Sequence, residues 1–258
     1  MDLLSRADGV INFAAETHVD RSIEAADSFL KTNISGLEVL LRCARAQNVQ
    51  KFLHISTDEV YGSLKEGSAS ENARLLPNSP YSASKAGADL LARSYFQTYG
   101  YPVMIVRSSN NYGPYQFPEK VIPLFITNLL EDKKVPLYGT GINQRDWIFV
   151  EDNCRAIALV FEKGEPGQIY NIGVGNEITN LELTQELIRL LGKTKDSIQY
   201  VEDRLGHDLR YSLSVDKVKK LGFEPQWSFE KGLQHTIQWY REHEDWWRPL
   251  KKDKYTVK

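Results

Sequence analysis

Short apolar runs and longer stretches of helical spacing alternate along the first half of the chain, the pattern of βα units around a parallel sheet. Gly9-Val10-Ile11-Asn12-Phe13-Ala14-Ala15 reads as a buried strand. Ile34, Leu37, Leu40, Leu41 and Ala44 then recur at helical spacing and give one apolar face. Lys51-Phe52-Leu53-His54-Ile55-Ser56 is a second strand that runs out into a polar cluster. A loop rich in Ser, Gly, Asn and Pro leads to a second long helix. Ser79 suits its N-cap and Pro80 its first turn, and its apolar stripe is Ala88, Leu91, Ala92, Tyr95, Phe96 and Tyr99. Val103-Met104-Ile105-Val106 is a third buried strand.

Beyond about Asn110 the loops lengthen and the strands shorten. Thr179-x-x-Glu182 is a capping box ahead of Leu183, Leu187, Leu190 and Leu191. Ser228 suits the cap of a last helix carrying Leu233, Ile237 and Tyr240, and Trp239, Trp246 and Trp247 are expected to pack. The pattern predicts a sheet-forming first half followed by a smaller, less regular lobe.

Composition narrows the class. The 258 residues, 41% apolar and 26% charged, can bury the core of one large domain, or of a domain with a smaller lobe. No apolar run approaches the ~18 residues of a membrane span. The first ten residues carry Asp2, Arg6 and Asp8 without the apolar stretch of a signal peptide. Cys43 and Cys154 are too few for a disulfide framework or a metal site. A cytoplasmic setting is expected, with no metal and no membrane. A net charge of −2 argues against a broad nucleic-acid surface, though not against a small anionic ligand.

Two clusters carry candidate chemistry. Tyr81-Ser82-Ala83-Ser84-Lys85 puts a phenol and an ammonium on one helix face. A nearby cation favours phenolate and makes the tyrosine a usable base. On its own the pair weighs little, since such spacing is common on solvated helices. Ser56-Thr57-Asp58-Glu59-Val60-Tyr61-Gly62 lies at the C-terminal end of the preceding strand, where open parallel sheets bind ligands. Two adjacent carboxylates there suit an acid and a base; the plainer reading is a polar strand exit with a capping Asp. With Tyr81 and Lys85 on the next helix, chemistry is the better reading.

Further motifs follow in order. Ala14-Ala15-Glu16-Thr17-His18-Val19-Asp20-Arg21-Ser22 precedes the two clusters. Ser109-Asn110-Asn111-Tyr112-Gly113-Pro114-Tyr115, Pro118-Glu119-Lys120, Arg145-Asp146-Trp147 and Asp203-Arg204-Leu205-Gly206-His207-Asp208 follow them. On these residues, from about residue 8 to residue 251, the chain resembles the dTDP-glucose 4,6-dehydratases. These are extended short-chain dehydrogenase-type enzymes that open the dTDP-rhamnose route. Thr57-Asp58-Glu59 sets them apart from related epimerases and decarboxylases, less so from UDP-glucose 4,6-dehydratases.

The resemblance implies a Rossmann-type α/β fold, a doubly wound parallel sheet truncated at its N-terminal side, with a smaller C-terminal α/β substrate lobe. Residues 1–110 would be the remainder of the NAD-binding domain, with the catalytic residues. Residues 111–258 would form mainly the nucleotide-sugar lobe, with some elements returning to the first domain. The cofactor implied is NAD, and the reaction gives a 4-keto-6-deoxy sugar by oxidation at C4, loss of water across C5–C6 and hydride return to C6. Tyr81 would take the 4-hydroxyl proton, with Thr57 on the reacting oxygen and Lys85 lowering the phenol pKa and binding the nicotinamide ribose. Glu59 would remove the C5 proton and Asp58 protonate the leaving 6-hydroxyl.

Other matched positions are expected to bind. Phe13, Ala14, Ala15, Glu16, Thr32 and Asn111 correspond to NAD contacts. Thr17, Asn110, Lys120, Val121, Pro136, Leu137, Tyr138, Arg145, Asn180, Asp203, Arg204, Leu205, Gly206 and His207 correspond to contacts with the sugar nucleotide, dTDP-glucose. Lys120, Arg145 and Arg204 suit a diphosphate. Leu205 stands where many relatives have Pro, and His18 is expected to be a hydrogen-bonded structural residue.

A homodimer is expected through helices 27–47 and 81–99, with Leu30, Leu41 and Phe96 as added contacts. The family's Gly-rich phosphate-binding start has no counterpart here, a difference of about sixty residues at roughly thirty per βα unit. The 258 residues alone are therefore expected to bind NAD weakly and to be unstable and inactive. Two alternatives stand beside the main reading: a UDP-sugar 4,6-dehydratase, and an inactive fragment that only associates with partners.

Overall fold

In a computed structural model, which describes residues 3–251, nine strands form three sheets. In chain order they are β1 (Gly9–Asn12), β2 (Lys51–Thr57), β3 (Val103–Ser108), β4 (Asn110–Tyr112), β5 (Val135–Tyr138), β6 (Gln144–Phe149), β7 (Ile169–Ile172), β8 (Glu177–Thr179) and β9 (Ile198–Val201). The principal sheet has the order β1-β2-β3-β7 and is parallel throughout. Its register aligns Asn12 with His54 and Thr57 with Ser108, so these strand ends share one edge of the sheet. β6 lies between β4 and β8, and β5 pairs with β9.

The sheet is apolar on both faces, so helices must cover both. On one face, Leu37, Leu41, Ala88, Ala92 and Tyr95 pack on Phe52, Val103 and Ile105. On the other, Ala156, Ile157 and Val160 of the helix Val150–Lys163 pack with Leu53, Met104 and Val106. This is a Rossmann-type α/β arrangement. A second core gathers Ile122, Phe125, Leu183, Leu187, Leu233, Tyr240 and Trp247 around β4 and β6. Each fully buried Leu or Phe in these cores is worth about 1.5–3 kcal/mol.

Local signals are met closely in several places. The helix Pro80–Tyr99 opens with the Ser79 cap, and Ser82 returns the hydrogen bond to close a capping box. It stops at Gly100, whose φ of 63° is the left-handed geometry of a helix end. Thr179 and Glu182 form the second capping box, and the Ser228 hydroxyl accepts from Lys231 N at 3.4 Å. Trp239 and Trp247 are buried.

Three expectations need correction. β1 ends at Asn12 rather than Ala15, because Asn12 Oδ1 accepts from Ala14 N at 3.2 Å and turns the backbone out of the ladder. Leu41 is fully buried and so is not free for a partner, while Phe96 is half-buried over Gly167; the most outward apolar residues of those helices are Leu30, Val39, Leu90 and Tyr99. Tyr99 belongs to no buried stripe: the Arg45 guanidinium lies 4.0 Å from its ring centre. The first of these helical runs also contains a π segment, Leu30–Gly36.

Candidate active site

β2 delivers Thr57, Asp58 and Glu59 into a single 3-10 turn, Asp58–Tyr61. Thr57 caps it: its hydroxyl accepts from Glu59 N at 3.2 Å and donates to Asp58 Oδ1 at 3.1 Å. The turn closes on Gly62 at φ 72°, where a Cβ would fall 2.1 Å from the Leu76 carbonyl oxygen, so glycine is required. Asp58 is only 3% exposed, and its Oδ2 has no hydrogen-bond partner among the described residues.

That environment separates the two carboxyls. Burial, and then the charge of Glu59, push Asp58 up to about 8, so it holds its proton at neutral pH. Burial also raises Glu59, but Arg204, Arg145 and Lys120 oppose the shift. A neutral acid thus sits beside a carboxyl that three cations pull toward its charged form.

Tyr81 is fixed by the helix start. Its backbone N–H donates to Ser22 Oγ at 3.0 Å, and its ring meets Phe29 edge-on with centroids 6.3 Å apart. Thr57 lowers its phenol pKa, against the larger upward push of burial. The expected lowering of the phenol pKa by Lys85 is not what this geometry gives. Lys85 Nζ donates to the Ile55 carbonyl at 2.6 Å, while burial, then Glu59 and Asp58, raise Tyr81. Lys85 itself is pulled down to about 8 by burial, with Asp89 opposing.

Past β1 the chain crosses the C-terminal ends of the strands. Asn33, in the π segment, clamps it there: its Oδ1 accepts from Glu16 N at 2.9 Å and its Nδ2 donates to Glu16 O at 3.1 Å. The same Nδ2 reaches Ser84 Oγ at 2.9 Å, next to Lys85. Beside this crossing lies a cleft of about 480 Å³ lined by Asn12, Ala14, Ser28, Lys31, Thr32, Gly36, Leu37 and Leu40. Ala14 and Thr32 are thus in its wall, Ala15 and Glu16 follow along the crossing, and Phe13 is 58% exposed. Asn111 Nδ2 donates to Ser109 O at 3.0 Å, leaving its buried Oδ1, like that of Asn110, without a partner among the described residues. A dinucleotide fits this setting: a groove at the carboxyl ends of parallel strands, with buried amide oxygens near the reactive helix.

Of the candidate substrate residues, Lys120, Arg145 and Arg204 bring their charges to bear on Glu59. Lys120 Nζ donates to Thr17 O at 2.8 Å, which ties it to the chain past β1. Arg145 is buried: Nη2 donates to Asp208 O at 2.8 Å, Nη1 to Gln144 O at 2.7 Å, and the guanidinium lies 4.3 Å from the Tyr211 ring centre. Asp203 and His207 pair at 2.6 Å, His207 meets the Tyr138 ring edge-on, and Arg204 Nη1 lies 3.4 Å from Asp20. Gly206 turns at φ 63°, and Leu205 is exposed. Val121 packs against the second core, Leu137 is buried under Gly141, Pro136 is half-buried on β5, and Asn180 N donates to Asn143 O at 2.9 Å. His18 departs from expectation, since its buried Nδ1 has no hydrogen-bond partner among the described residues.

Residues 3–236 match the GDP-mannose 4,6 dehydratase family. The chain belongs to this family. Within it, the dTDP-glucose 4,6-dehydratase of Streptomyces antibioticus is 52% identical over 251 residues, 97% of this chain and 75% of the relative. The low-salt glycan biosynthesis protein Agl12 of Haloferax volcanii is 50% identical, over 93% of this chain and 77% of its own length. A crystal structure of DesIV, a dTDP-glucose 4,6-dehydratase from Streptomyces venezuelae with NAD and TYD bound, superposes with a TM-score of 0.95 at 54% identity, covering 97% of this chain and 79% of that one. A UDP-glucose 4-epimerase from Thermus thermophilus complexed with NAD has the same fold at TM-score 0.88 but only 31% identity, with 92% and 79% covered.

This dehydratase-family site includes residues that sequence reasoning missed. Asn33 is one; it lay unremarked beside Ile34 in an ordinary apolar stripe. Tyr211 is another: it donates to Asp208 Oδ2 at 2.5 Å and stacks under Arg145. An aromatic three residues past a basic-acidic motif is its only signal.

Proposed function

We propose that the protein converts dTDP-glucose to dTDP-4-keto-6-deoxyglucose and water. The observation that carries this reading is the Asp58–Glu59 pair at the strand end beside Tyr81: burial and the Glu59 charge hold Asp58 neutral, while Glu59, also raised by burial, has Arg204, Arg145 and Lys120 opposing that rise. Simple hydride transfer has no use for such a pair, whereas loss of water across adjacent carbons needs an acid and a base at once. Relatives about 50% identical that carry the dTDP-glucose 4,6-dehydratase name support the choice of substrate.

NAD, when bound, accepts hydride from C4 and later returns it to C6, so there is no net redox change. Phe13, Ala14, Ala15, Glu16, Thr32 and Asn111 would hold it, with Lys85 at the nicotinamide ribose. Tyr81 takes the proton of the 4-hydroxyl while Thr57 holds the same oxygen. For that the Lys85 ammonium must swing from the Ile55 carbonyl toward the phenol, since the present arrangement keeps Tyr81 protonated. Once C4 is a ketone, the C5 proton is acidic enough for Glu59 to take. Asp58 gives its proton to the departing 6-hydroxyl, water leaves, and Glu59 returns its proton to C5 when hydride reaches C6.

Lys120, Arg145 and Arg204 supply the positive charge for the diphosphate. Thr17, Asn110, Val121, Pro136, Leu137, Tyr138, Asn180, Asp203, Leu205, Gly206 and His207 shape the rest of the sugar-nucleotide site. We assign the cofactor mainly to residues 1–110 and the sugar nucleotide mainly to residues 111–258. The exposed Leu30, Val39, Leu90 and Tyr99 are the surface for a homodimer. No described helix is long and apolar enough to cross a membrane, and we place the enzyme in the cytoplasm.

The test is incubation with dTDP-glucose or UDP-glucose, followed for a 4-keto product. A product from dTDP-glucose alone supports the reading; equal turnover of UDP-glucose moves the assignment to a UDP-sugar enzyme.

A further inference from the structure

The helix that carries Tyr81 and Lys85 holds a third buried polar group on the same face, Asp89, a further turn along. Asp89 is 1% exposed, and its Oδ2 accepts from Arg107 Nε at 2.7 Å. Arg107, 3% exposed on β3, also donates to the Tyr61 hydroxyl at 2.8 Å, which in turn donates to Asn171 Oδ1 at 2.8 Å. Asp89 Oδ1 has no hydrogen-bond partner among the described residues and lies 3.7 Å from His54 Nε2. His54 is 1% exposed, with its Nδ1 3.4 Å from Asn12 Nδ2. Desolvating such an ion pair can cost as much as its attraction returns, so stability alone is a weak reason for a carboxylate here.

We propose that Asp89, ion-paired with Arg107 and one helical turn from Lys85, is a positioning residue that favours the ammonium form of Lys85 inside a buried site. The inference rests on the role given to Lys85 above. Lys85 is almost wholly buried, its Nζ has the Ile55 carbonyl as hydrogen-bond partner, and burial pulls it down to about 8. Asp89 is the carboxylate that opposes that pull; burial raises Asp89 in turn, and the Arg107 guanidinium 2.7 Å away opposes that rise. The other ionisable groups packed around the pair do not replace it. His54 on β2 is held neutral, well below its ordinary value, by burial and by Lys85. Arg107 on β3 is a like charge, committed to Asp89. Tyr81 on the same helix is raised and neutral, and Asp58, in the turn after β2, is pushed up to about 8. Without the Asp89 charge, Lys85 sheds its proton closer to neutrality, and the phenol loses the cation that would ionise it.

The test is a pH titration of the Lys85 ε-methylene by 13C NMR, assigned with Lys85→Met. Asp89→Asn is expected to lower the midpoint by at least about 1 pH unit, the usual effect of an adjacent opposite charge. Asp89→Glu should restore most of it. An unchanged midpoint in a cooperatively melting Asp89→Asn protein overturns the proposal. Should that variant fail to fold, Asp89→Asn combined with Arg107→Gln leaves no unpaired buried charge, and its midpoint must also fall. The titration needs neither cofactor nor turnover. A lowered midpoint alongside full hydride transfer in Tyr81→Phe would therefore fault the role of Tyr81 and leave that of Asp89 standing.

Discussion

At the scale of single residues, environment gives like groups unlike tasks. Asp58 and Glu59 are neighbours in one turn, yet Asp58 is buried beside the Glu59 charge with Arg145 opposing, while Glu59 faces Arg204, Arg145 and Lys120. Their mutants should therefore fail at different steps. Glu59→Gln is expected to block exchange of the C5 hydrogen with solvent, and Asp58→Asn to permit exchange but slow water loss; deuterium incorporation from heavy water reads the difference. Tyr81→Phe should cut hydride transfer at least ~100-fold, the range of a positioned acid–base group, in single-turnover reduction of bound NAD. Asp58 also makes stability depend on pH. Its value rises from 3.8 to about 8 on folding, so between those limits the native state holds a proton that the unfolded state has lost. Its contribution is complete below about pH 4 and disappears as the pH passes about 8. Melting temperatures should fall across this window in the wild type and fall less in Asp58→Asn.

At the scale of elements, what could be read from the chain was what is decided locally. Ser79 with Pro80, and Thr179 with Glu182, fix helix starts within a few residues, and both starts are as predicted. β1 stops before its apolar run does, because its end is set by a side-chain contact of Asn12 and by Asn33, which reaches Glu16 from 17 positions away. Periodicity also cannot say which apolar residues a helix leaves free for a partner: Leu41, a candidate contact, is fully buried in a core cluster. Lys85 was expected to serve the phenol; its length lets it reach the Ile55 carbonyl instead, a choice invisible to spacing. Asn33 yields a prediction at this scale. Asn33→Ala leaves Glu16 N without its acceptor, a cost of about 1–3 kcal/mol. Calorimetry should show a melting temperature lowered by several degrees, and NAD affinity reduced more than that change in stability explains.

At the scale of the molecule, the parallel sheet brings the ends of β1 and β2 and the start of the helix Pro80–Tyr99 to one edge, and the second core suspends Arg145 and Arg204 above them. Both parts are needed for Glu59 to have its cations. The same assembly leaves Leu30, Val39, Leu90 and Tyr99 outward on two adjacent helices, and Leu90→Glu combined with Val39→Glu should convert a dimer to a monomer in light scattering. The central claim is that one site removes hydride from C4 and places it on C6 while Asp58 and Glu59 expel water between the two events. The protein, given NAD and dTDP-glucose deuterated at C4, tests it most directly. The account predicts a 4-keto-6-deoxy product with the deuterium at C6 of the same molecule. Deuterium lost to solvent, or a product still bearing its 6-hydroxyl, would contradict it.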